Sequence, residues 1–165
     1  MLLIQITLSV GLLFISTCFV GPQRIAQEPI PSGWQRVDAG YFAFYLPPTM
    51  QLLTTERCDE CAWGNSYTDD HIRLLAEYTS WNEGYAPAYL AKQAEYDKDT
   101  TEINGKTAKL QSWRTSEFEG FAYIAEARFF GSNGKLLARL SALCKSKSDV
   151  QTAKRIFSTA TSFKS

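Results

Sequence analysis

The chain is poor in histidine, in charge near its start, and in any excess of charge of one sign. His71 is the single histidine in 165 residues, so Ser-His-Asp or Cys-His chemistry is confined to one position, near Asp69 and Asp70, and no nucleophile is marked beside it. Lys plus Arg and Asp plus Glu each total 17, and none of them falls in the first 23 residues, so the rest of the chain is neutral as well. A protein that neutralises many phosphates needs a basic face. The densest basic cluster is Lys145, Lys147, Lys154 and Arg155, which reads as the solvated side of a terminal helix, and no nucleic-acid partner is expected. Repeats and low-complexity tracts are absent too, which excludes solenoid and array architectures.

The uncharged start is itself a feature. From Leu2 to Val20 the sequence is mostly Leu, Ile, Val and Phe, a composition that a translocon or a bilayer accepts. Three fates are open for residues 1–20. Ser16 and Cys18 offer a small-x-small site for signal cleavage. Ile15-Ser16-Thr17-Cys18 is similar to a bacterial lipobox, with Cys18 as the lipidated residue and Thr17 departing from the preferred Gly, Ala or Ser. A retained anchor is the third, because a helix of that length just crosses the roughly 30 Å of hydrocarbon. All three place the body outside the cytoplasm, in the cell envelope or secreted, and confine membrane contact to the leader.

Residues 21–33 hold three of the six prolines and read as an extended linker. A single domain is expected over 34–165. Short aromatic and β-branched runs at Trp34–Val37 and Tyr41–Leu46, split by Asp38-Ala39-Gly40, predict two strands and a turn, with Pro47-Pro48 ending the second. Alternation from His71 to Thr79 predicts another strand. Pro87 suits the first turn of a helix running to about Tyr96. Asn104-Gly105 predicts a two-residue hairpin, and Gly131-Ser132-Asn133-Gly134 a second, between strands Phe121–Phe130 and Leu136–Leu143. Ser148 is placed to cap a closing helix with Val150, Ala153, Ile156, Phe157 and Ala160 on its apolar side.

The chemistry-bearing residues are few. Cys58-Asp59-Glu60-Cys61 provides two thiols that can form a structural disulfide, with each other or with Cys144, or act as a redox pair. Two acids between the thiols raise their pKa and disfavour redox work. A Cys₃His zinc set of Cys58, Cys61, His71 and Cys144 has metal-ligand spacing only in its first half. Asp97, Asp99 and Glu102 lack the glycine that a calcium loop needs, and no metal or other cofactor is expected. Two aromatic loop segments, Trp63-Gly64-Asn65-Ser66-Tyr67 and Trp81-Asn82-Glu83-Gly84-Tyr85, set flat rings beside amides and glycines. They make Trp63, Tyr67, Trp81 and Tyr85 the candidate ligand-binding residues.

Trp34, the run Gly40-Tyr41-Phe42-Ala43-Phe44-Tyr45-Leu46-Pro47-Pro48, then Ile103-Asn104-Gly105-Lys106-Thr107-Ala108, and finally Arg155-Ile156-Phe157-Ser158 with Phe163 resemble the PsbP-like superfamily over most of residues 34–163. The resemblance implies an α+β fold, an α/β/α sandwich with a central, mainly antiparallel sheet. It also implies an accessory or binding role in place of catalysis, with no catalytic residue to carry over. The expected function is thus an exported, non-catalytic binding module for a protein or small ligand. The alternative is a thiol-redox or metal-binding protein acting through Cys58 and Cys61.

Overall fold

The computed structural model describes residues 29–56, 63–78 and 90–164. The first strands are β1 (Gln35–Asp38) and β2 (Ala43–Leu46), which form a two-stranded antiparallel sheet. Their turn closes because the Asp38 carboxylate accepts the Gly40 N–H at 2.8 Å, and Gly40 takes a φ of 90° that a side chain would resist.

The larger sheet has seven strands in the order β3-β4-β5-β9-β8-β7-β6, every neighbouring pair antiparallel. Its strands are β3 (Gln51–Glu56), β4 (Trp63–Thr68), β5 (Ile72–Tyr78), β6 (Asp97–Ile103), β7 (Lys106–Phe118), β8 (Phe121–Phe130) and β9 (Leu136–Cys144). The turn between β6 and β7 is the Asn104-Gly105 pair, with φ of 48° and 73°, the left-handed geometry that Asn-Gly favours. Its Asn104 amide reaches across to the Ala160 carbonyl at 2.5 Å. Glu119-Gly120 makes a similar turn between β7 and β8, with φ of 51° and 81°; a Glu at the first position hides this turn from a sequence reading.

One face of the large sheet carries the core. Leu74, Ala76, Ala108, Ala125, Ala127, Phe129, Ala138, Leu140 and Ala142 lie under the helix α1 (Lys147–Ser158) and the β1–β2 hairpin. Small alanines in the central strands let α1 approach closely, and Val150, Ala153, Ile156 and Phe157 fill the gap. Phe44 meets Tyr67 edge-on with centroids 5.7 Å apart, and Phe163 packs on both Phe42 and Phe129. Beyond α1 the chain returns along β2, where Ala43 and Thr161 exchange both backbone hydrogen bonds.

This architecture corrects the fold class expected from the resemblance. Strands make up 55% of the described residues and helix 13%, with one α-helix, so the fold is mainly β and not an α+β, α/β/α sandwich. The physical reason lies in two segments. Residues 51–56, for which the sequence predicts no element, and Trp63–Thr68, whose first five residues are expected as an aromatic loop, are paired strands β3 and β4. Within the helix expected over 87–96, the described part is only a 3₁₀ turn at Leu90–Lys92; Glu95 then takes a φ of 55° and the chain enters β6. Residues 87–89 of that helix lie outside the described residues, as do the whole leader 1–20 and linker residues 21–28.

Candidate functional site

Three places in the described fold gather side chains with chemical potential, and each follows from strand register. The first is the end of the sheet where β3 finishes, β4 begins and β5 finishes. Glu56 pairs with Gly64 there, and Trp63 pairs with Tyr78. Tyr78 stacks on Tyr41 from the turn before β2, with ring centroids 3.6 Å apart and planes within 9°. Tyr41 remains 43% exposed, so this stack presents a flat aromatic surface to solvent beside the start of β4. The backbone of Tyr41 is held as well, because its carbonyl accepts the Lys164 N–H at 2.8 Å.

The aromatic residues singled out from the sequence divide here. Trp63 is the first residue of β4, within a strand and not in a loop, and is the backbone register partner of Tyr78. Tyr67 is buried at the other end of the same strand against Phe44, and burial pushes its phenol pKa up while a hydrogen bond with Asn65 partly offsets this. It is a core residue. Trp81 and Tyr85 lie outside the described residues. Sequence reasoning missed Tyr41 and Tyr78, because both sit at strand ends in alternating patterns that read as ordinary core.

The second place is the face of the sheet opposite α1. Alternation of side chains along each strand sets two polar rows across it. One row runs Gln111, Glu126, Ser141, Leu75 and Ser66; the next runs Lys109, Arg128, Arg139, Glu77 and Gly64. Arg128 and Arg139 are direct cross-strand neighbours, a like-charge pair that costs energy unless each cation has an anion. Both do: Arg128 Nε donates to Glu126 Oε1, which also accepts from Gln111 Nε2 at 3.0 Å, and Arg139 Nε donates to Glu77 Oε2 at 2.5 Å. Gln111, Glu126 and Arg128 are 7%, 7% and 8% exposed, and charges that far from water persist only when paired and hydrogen-bonded. The side-chain contacts tie β7 to β8 through Gln111–Glu126 and β9 to β5 through Arg139–Glu77, while Arg128 is neutralised within β8. Each carboxylate is engaged by a guanidinium, so neither is presented to a substrate as an acid or base.

The third place is the opposite end of the sheet, around Cys144, His71 and Asp149. Cys144 ends β9 between Ile72 and Tyr123 and is fully buried in the core. Burial, with smaller contributions from Asp149 and Asp69, pushes its thiol up to about 12. A thiol held neutral in this way is a poor nucleophile and a poor metal ligand at physiological pH. His71 is 69% exposed in its side chain, and its Nδ1 is 3.8 Å from Asp149 Oδ1. Asp149 is committed elsewhere: its Oδ2 accepts from the Ser146 N–H at 2.9 Å and from the Ser146 hydroxyl at 2.7 Å. That is a capping box for α1, and it corrects the expected cap from Ser148 to Ser146. A serine, an aspartate and a histidine therefore meet here for a structural reason, with the serine hydroxyl turned to the aspartate.

Cys58, Cys61 and Cys18 lie outside the described residues, so the disulfide, redox, zinc and lipidation expectations that need them are not placed by this fold. Among the described residues no three His, Cys, Asp or Glu side chains gather as a metal site. Asp97 and Asp99 belong to β6, and Asp97 is engaged by Lys154 of α1 at 2.6 Å. No family model matches the chain, and no curated protein matches it. The class that can be stated from the fold is that of a mainly β domain with a single helix described on one sheet face.

Proposed function

We propose that this chain is an exported accessory or binding module, non-catalytic, whose protein or small-molecule ligand docks at the aromatic end of the sheet. The observation that supports this reading is the Tyr41–Tyr78 stack, a half-exposed aromatic surface at the point where β3, β4 and β5 terminate. Stacked rings with polar rims offer large contact area at little entropic cost. The backbone of Trp63 is the nearest neighbour of Tyr78 across the ladder, which makes Trp63 the next residue to test. The uncharged stretch from Leu2 to Val20 supports export.

The test uses the native full-length protein and two variants, Tyr41→Ala and Trp63→Ala. Proteins and small molecules co-purifying with each are compared by native mass spectrometry, beside thermal unfolding of each variant. A ligand lost from both variants at unchanged melting temperature supports the reading. An identical set of bound species in all three proteins overturns it. Intact mass of the native chain reads the leader in the same experiment: a truncated or lipidated N-terminus, or an unprocessed chain in the membrane fraction, is expected, and an unprocessed chain recovered from cytosol contradicts export.

A further inference from the structure

We draw no further inference here: the strongest candidate, the exposed Leu52–Leu53 pair at the irregularity on edge strand β3, is an unpartnered apolar strip, and nothing among the described residues shows what covers it.

Discussion

Glu126 concentrates the energetics of the polar face in one side chain. Its Oε1 accepts from both Gln111 and Arg128 at a site only 7% exposed. Glu126→Ala removes the carboxylate that two buried donors share, and removal of one member of a buried pair costs roughly 3 kcal/mol or more. Glu126→Gln keeps an acceptor for Gln111 and is expected to lose less; urea unfolding of the two variants reads the difference, and equal midpoints for Glu126→Ala and the parent would show the pair to be idle. Cys144 gives a second prediction at this scale. With its thiol at about 12, iodoacetamide at neutral pH should leave Cys144 unmodified in the folded protein and label it in denaturant. Because the folded pKa lies above the ordinary thiol value, the contribution to stability is complete below about pH 8.5 and falls by roughly 1.4 kcal/mol for each pH unit above it until the folded value is reached.

At the scale of single elements, α1 and β4 each depend on one small residue. Ser146 caps α1 by accepting the Asp149 N–H, while Asp149 answers to the Ser146 N–H. Ser146→Ala removes half of this exchange and is expected to cost about 1 kcal/mol, whereas Ser148→Ala, at the second residue of the helix, should cost less; paired thermal melts distinguish the two. Gly64 in β4 lies against β5 with no room for a side chain. A Cβ there would sit 2.9 Å from the Ala76 carbonyl oxygen, 3.2 Å from Leu75 Cδ1 and 3.3 Å from Glu77 Cγ. The first of these is backbone and cannot rotate away, so Gly64→Ala should destabilise by roughly 1–3 kcal/mol. That variant also shifts the strand that carries Trp63, so loss of ligand in Gly64→Ala with a lowered melting temperature is the expected joint outcome.

For the whole molecule, charge links the helix to the far edge of the sheet. Lys147 pairs with Glu95 at 2.6 Å and Lys154 with Asp97 at 2.6 Å, just before and at the start of edge strand β6. Hydrogen bonding to the lysines holds both carboxyls below their usual range and holds Lys147 above its own. The carboxylate contributions are therefore present above about pH 4 and disappear as pH falls through the lowered values; the Lys147 contribution is present below about pH 10 and disappears as pH rises through the raised one. Melting temperature should plateau between about pH 4 and the pH of about 8.5 at which the Cys144 contribution begins to fall, and 1 M salt should lower the plateau because these exposed pairs are screened. A salt-independent plateau would argue that the clamp contributes nothing. The two edges of the sheet also differ. β6 reads Asp-Lys-Asp-Thr-Thr-Glu-Ile, a charged edge that resists pairing with another chain, whereas β3 exposes Leu52 and Leu53. Leu53→Lys is expected to raise solubility at high concentration with a stability change within about 0.5 kcal/mol, as read by light scattering and melting.

Local chemistry was enough to mark several elements from the sequence alone: the Asp38–Gly40 turn, the Asn104-Gly105 hairpin, the alternation of β5, and the apolar side of α1. Each depends on interactions within a few residues, on φ preferences or on a repeating pattern, and these are written in the chain directly. The strands β3 and β4 were not legible, because Gln-Leu-Leu-Thr-Thr-Glu and Trp-Gly-Asn-Ser-Tyr-Thr lack a clear period and become strands through pairing with each other and with β5. The same holds for the sites. Cross-strand register alone sets Arg128 beside Arg139 and Glu77 opposite Arg139, and only the packing of the hairpin on the sheet brings Tyr41 onto Tyr78, residues far apart in the chain with no local signal that they meet.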